Sequence, residues 1–124
     1  MSNEGLRVAV AGAGGRMGRA LVAAVMAEPQ MRLAAALDLP ESPALGLDAG
    51  EGSGLVTGVR VTADVDAALA RTDVLVDFTR PAGTLAHLAA CARAHVAAVV
   101  GTTGLDAAQR AALAQHAKHI PIVF

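Results

Sequence analysis

Short apolar runs alternate with longer amphipathic stretches along the whole chain. Leu6–Ala11, Met31–Leu37 and residues 59–62, 74–78, 96–100 and 121–124 are apolar almost throughout, the pattern of strands buried on both faces. Between them, Arg16–Ala27 sets Met17, Leu21 and Val25 on one side at helical spacing, and Pro29 ends it. Residues 64–70 predict a short helix with Asp64 as N-cap. Thr79-Arg80-Pro81 opens a helix to about Ala94, with Pro81 near its first position, where a missing N–H costs nothing. Residues 106–118 predict another, capped by Asp106, with Lys118 and His119 placed favourably for the helix dipole. Residues 40–58, rich in Gly, Pro and Ser, form the one long loop, a kind of segment that is often functional or mobile.

This β-α-β alternation predicts an α/β fold, a doubly wound and mostly parallel sheet of Rossmann-like plan with helices on both faces. In such sheets ligands lie at the carboxyl ends of the strands. The last residues, Ile122, Val123 and Phe124, are an apolar run with no turn or polar tail after them. We therefore expect residues 1–124 to be one domain that is truncated before a second.

Composition narrows the function classes. With 54% apolar and 17% charged residues, the chain can build a core and is not of disordered type. Its net charge of −1 and lack of a basic block argue against a nucleic-acid partner, and Phe78 and Phe124, its only aromatics, offer little base-stacking surface. Cys91 is the single cysteine, so no internal disulfide can form, and its place in a helical stretch reads as a small buried residue. Met1-Ser2-Asn3-Glu4-Gly5 does not resemble a signal peptide, and no apolar run approaches the roughly 20 residues that span a bilayer. A cytoplasmic protein without membrane contact is expected.

Candidate chemistry begins at Gly12-Ala13-Gly14-Gly15-Arg16-Met17-Gly18, between the first strand and the first helix. Strict GxGxxG fails because Met17 stands where the third glycine belongs, but Gly12, Gly15 and Gly18 fit GxxGxxG. Glycines there permit a sharp turn and let a pyrophosphate approach the amides, while the helix start offers unpaired N–H groups. Asp38 ends the second strand 20 residues after Gly18, about the spacing of a carboxylate that holds ribose hydroxyls. Thr79-Arg80 and Gly101-Thr102-Thr103-Gly104 end later strands, so both belong on the same edge. Threonine hydroxyls and amides there are candidates for the nicotinamide end. The histidines, His87, His95, His116 and His119, read as ordinary helix or helix-end residues.

Taken in order and spacing, residues 11–18 (Ala-Gly-Ala-Gly-Gly-Arg-Met-Gly), the segment Val76-Asp77-Phe78-Thr79-Arg80-Pro81 and Gly101-Thr102-Thr103-Gly104 resemble dihydrodipicolinate reductase over residues 7–124. The resemblance implies NADH- or NADPH-dependent reduction of a cyclic unsaturated imine on the diaminopimelate route to lysine. It marks Gly12, Ala13, Gly14, Gly15, Arg16 and Met17 as the pyrophosphate loop and Asp38 as the ribose acid. It places Thr79 and Arg80 at the cofactor cleft, and Gly101, Thr102 and Thr103 at the nicotinamide side. In that family the catalytic residues and the tetramer contacts lie in a second domain, so no catalytic residue or metal ligand is assigned here. The chain alone is expected to bind coenzyme without turnover of the small-molecule substrate. The family commonly has a basic residue after the ribose acid; here it is Leu39, which points toward NADH or dual use. Residues 77–81 and 101–104 argue against a homoserine or aspartate dehydrogenase. A non-catalytic nicotinamide-nucleotide-sensing module stays open as the alternative.

Overall fold

The computed structural model describes residues 5–124; the expectation drawn from Met1–Glu4 lies outside them. Six strands, β1 (Leu6–Ala11), β2 (Met31–Leu37), β3 (Val61–Thr62), β4 (Val74–Asp77), β5 (Ala97–Val100) and β6 (Ile122–Val123), form one sheet. Four helices connect them: α1 (Arg16–Ala27), α2 (Val65–Leu69), α3 (Pro81–Ala94) and α4 (Ala107–His116). Every pairing between these strands is parallel, in the order β3-β2-β1-β4-β5-β6. The chain winds outward from β1 to β3, then crosses back so that β4 lies on the other side of β1. That reversal is the point where doubly wound sheets open a crevice for ligands.

Helix boundaries follow local chemistry. The Asp64 carboxylate accepts from Ala67 N and caps α2, and Asp106 forms a reciprocal box with Gln109 at the start of α4. Pro81 occupies the first turn of α3, which ends at His95 in left-handed conformation (φ 58°). At the amino edge of the sheet the Arg7 guanidinium takes both oxygens of Asp73, joining the starts of β1 and β4.

The core has two parts, one on each face. Leu37, Leu69, Leu75, Leu88 and Cys91 lie on the face carrying α2, α3 and α4. Each such fully buried leucine contributes about 1.5–3 kcal/mol relative to exposure. Val8, Val10, Val22, Val25 and Ala36 form the other part, beneath α1 and the segment after β2. Cover is not complete, which corrects the expectation of a sheet buried on both faces. Val76 and Val99 are only partly buried, and Val123 is 67% exposed. α1 and the long loop cover β1–β3 on that face, and among the described residues no helix follows that would cover β5 and β6. No helix among the described residues is long and apolar enough to cross a membrane.

Loop 40–58 is organised by one carboxylate. Asp48 accepts hydrogen bonds from the amides of Gly50, Thr57 and Gly58 and from the Thr57 hydroxyl. The amides of Thr57 and then Gly50 are the main reasons its pKa is held down at about 2. Residues 51–53 form one 3₁₀ turn, and the backbones of Asp48 and Arg60 pair in an isolated antiparallel β-bridge. The strand predicted at 59–62 is accordingly shorter, Val61–Thr62.

Candidate functional site

The four segments singled out in the sequence come together on one edge. Because the strand order is β2-β1-β4-β5, the carboxyl ends present Asp38, then Gly12 to Met17, then Thr79-Arg80, then Gly101 to Thr103. At about 4.8 Å per strand this row spans roughly 14 Å.

The glycines in the first loop are there for different reasons. Gly12 has φ +81°, and a Cβ on it would press on the Phe78 carbonyl and the Thr79 methyl of the neighbouring strand end. A Cβ on Gly18 would collide with the Gly12 carbonyl, so the first turn of α1 sits directly on the loop. A Cβ on Gly14 would lie 2.5 Å from the Asp38 carboxylate. Gly15 differs. It has ordinary extended backbone (φ −84°, ψ 177°), and its Cβ would meet only Gly12 O at 3.5 Å. No protein contact requires glycine there.

Hydrogen bonding separates the loop's shaping residues from its free donors. The amides of Gly12 and Ala13 both donate to Leu37 O, that of Gly14 to Asp38, and that of Gly15 to Gly12 O. The amides of Arg16 and Met17 stand in the first turn of α1, where N–H groups have no partner within the helix. α1 has no side-chain cap and no acid in its first turn, and Gly15, Arg16 and Met17 are exposed. α3 likewise begins without a side-chain cap, at Arg80. The two helices that start at the crevice are thus the uncapped ones, whereas α2 and α4 are capped by aspartates. This leaves partial positive charge facing the edge.

Asp38 is fixed at the tip of β2. Its Oδ2 accepts from Gly14 N at 2.9 Å and Ser42 Oγ at 3.2 Å, and its Oδ1 from Leu39 N at 2.9 Å. Leu39 is 56% exposed and brings no cation. Arg16 and Arg80 are exposed on the same edge. Arg19, which the sequence reading did not single out, lines a cleft of about 230 Å³ between the glycine loop and residues 43–52, together with Ala13, Gly14 and Ala44.

Beneath the β4 and β5 ends lies a buried polar network. Asp77, fully buried, accepts from the Thr79 hydroxyl at 2.7 Å and faces His87 Nδ1 at 3.1 Å. The Thr102 hydroxyl accepts from Thr79 N at 2.9 Å and from the Thr84 hydroxyl at 2.7 Å. Thr102 is therefore turned inward and ties the two strand ends together, and of the two threonines that follow Gly101 only Thr103 is exposed. Gly101 packs against the Phe78 ring, which any side chain there would strike. His87 is not the ordinary helix residue expected. An aspartate in an apolar strand demands partners, and Thr84, His87, Leu88 and Cys91 share one helical face of α3, but which of them meets Asp77 is set only when α3 packs over β4. Cys91 is fully buried beside this network, and burial first, then the Asp77 charge, pushes its thiol up to about 12. It is not a nucleophile. No cluster able to hold a metal ion occurs among the described residues.

A parallel sheet with a glycine loop, an uncapped helix start and an acid at its switch point defines a Rossmann-like nucleotide-binding domain. Residues 6–124 match the family model for the N-terminus of dihydrodipicolinate reductase, and the chain belongs to that family. It is 58% identical over 119 residues to the 4-hydroxy-tetrahydrodipicolinate reductase of Laribacter hongkongensis and 57% identical to that of Cupriavidus pinatubonensis. Both matches cover 96% of this chain and 45% of the relative, so the chain spans about half the length of these proteins. Among solved structures, the dipicolinate-bound dihydrodipicolinate reductase of Paenisporosarcina sp. TG-14 superimposes with a TM-score of 0.70 at 29% identity, covering 92% of this chain and 42% of that one.

Proposed function

We propose that this chain is the coenzyme-binding part of a 4-hydroxy-tetrahydrodipicolinate reductase and binds a nicotinamide dinucleotide along the carboxyl edge of its sheet. The observation that carries the reading is Gly15, a glycine that no protein contact demands, beside the free amides of Arg16 and Met17. In this reading those amides hold the pyrophosphate. Asp38 accepts from the adenosine ribose. Thr79, Arg80, Gly101 and Thr103 face the nicotinamide end, and Thr102 braces them from below.

The bound coenzyme would supply hydride. The chain's own part is to fix where its reactive carbon lies, a contribution of position rather than of acid–base chemistry. Substrate contacts, the proton donor and the tetramer interface fall to a second domain of the complete enzyme, which would act in the cytoplasm. Asp38 followed by Leu39 favours NADH or dual use, since a 2′-phosphate would face a carboxylate with no adjacent cation. Calorimetric titration with NADH and NADPH tests the reading. Saturable binding of one nucleotide per chain supports it; absence of binding to a folded chain overturns it.

A further inference from the structure

The acid at the end of β2 is more occupied than its role in coenzyme binding allows. An ionised carboxylate offers about four lone-pair sites, two on each oxygen. Gly14 N and Ser42 Oγ take both on Oδ2, and Leu39 N takes one on Oδ1. A ribose diol presenting two hydroxyls finds one vacant acceptor site. The donors on Gly14 and Leu39 are backbone amides whose direction the chain sets. The third is a side-chain hydroxyl, free to turn about a single bond.

Ser42 is held in place for this. Its amide donates to Leu39 O at 3.0 Å, closing a turn directly after the acid, and its Oγ accepts from Ala44 N at 3.1 Å. Oγ therefore keeps its acceptor bond while its proton can be redirected. Ala44 also packs where a Cβ on Gly14 would fall, so the turn borders the glycine loop.

We propose that Ser42 is a coenzyme-specificity residue, whose hydroxyl competes with a ribose hydroxyl for Asp38 and turns to donate to a 2′-phosphate when the coenzyme carries one. The proposal rests on the coenzyme reading above. With a plain ribose, the Ser42 proton must leave Oδ2 before both hydroxyls can be accepted, so the serine weakens NADH binding. With a 2′-phosphate, an acceptor replaces a donor, and the same proton bonds the phosphate. One hydroxyl thus penalises NADH and supports NADPH at a site where Leu39 supplies no charge.

The test is titration of the unmodified chain, Ser42→Ala and Ser42→Thr with NADH and NADPH at one low salt concentration, alongside thermal melts. Ser42→Ala should bind NADH more tightly and NADPH more weakly, moving the affinity ratio toward NADH by about three- to tenfold, the worth of one hydrogen bond. Ser42→Thr, which keeps the hydroxyl, should hold the ratio within about twofold of the original. In an Asp38→Asn background the NADH gain on Ser42→Ala should vanish, because the competition it relieves is for the carboxylate. A ratio that stays fixed or moves toward NADPH in Ser42→Ala overturns the proposal while leaving the coenzyme reading intact, as does an equal loss of both coenzymes. If the unmodified chain binds neither coenzyme, the coenzyme reading fails and the proposal falls with it.

Discussion

Replacing Gly15 with valine separates what the fold needs from what a ligand needs. The backbone there is extended, which valine adopts without strain, and the new Cβ would meet only the Gly12 carbonyl at 3.5 Å, an ordinary contact. The loss to folding is limited to a poorer N-cap, about 1 kcal/mol. The loss to a bound pyrophosphate is larger, because a branched side chain would stand over the amides of Arg16 and Met17. Hydrogen bonds to a charged group are worth about 1.5–3 kcal/mol each, so losing two removes about 3–6 kcal/mol. At 1.4 kcal/mol per tenfold, affinity should fall about a hundredfold or more. Gly18 cannot serve for this test, since a side chain there strikes the Gly12 carbonyl and disrupts the loop itself. Calorimetry of NADH binding to both proteins, with melts in parallel, decides the matter. Equal NADH affinity in a folded Gly15→Val chain refutes the reasoning.

Three further outcomes are expected. Leu39→Arg places a cation beside the candidate ribose acid and should shift preference toward NADPH by roughly 1–3 kcal/mol; an unchanged ratio of the two affinities would mean that Arg16, Arg19 or Arg80 already governs the choice. His87→Ala leaves one oxygen of the fully buried Asp77 without its partner and should cost about 1–3 kcal/mol in urea denaturation, with no measurable loss speaking against the network. Asp48, held at about 2 in the fold against an ordinary 3.8, contributes stability that is complete above about pH 4 and is lost as pH falls toward 2. The stability gap between the chain and Asp48→Asn, followed by thermal melts, should close across that window; a constant gap contradicts the assignment.

Much of this was legible in the sequence because local rules dominate the relevant places. The capping aspartates Asp64 and Asp106, the proline at the start of α3 and the glycine loop after β1 each announce themselves within a few residues, and the structure has all of them. The co-location of Asp38, the glycine loop, Thr79-Arg80 and Gly101 to Thr103 also followed, since parallel strands put their carboxyl ends on one side. What stayed hidden depends on direction and long-range pairing. Thr102 reads as a hydroxyl available to a ligand, but Thr79 N and Thr84 claim it from another strand end and a helix. His87 meets Asp77 because α3 packs over β4, a contact ten residues apart in sequence. Loop 40–58 offers no periodicity, so the organising part played by Asp48 emerges only with the fold.

The central claim is where the coenzyme sits, and amide chemical-shift mapping during an NADH titration tests it most directly. Coenzyme bound along the carboxyl edge should give saturable shifts concentrated at residues 12–18, Asp38, Ser42, Thr79-Arg80 and 101–103. The amides of Arg7 and Asp73, at the opposite edge of the sheet, should stay still. Shifts centred on that amino edge, or on the exposed face around Val99 and Val123, would contradict it.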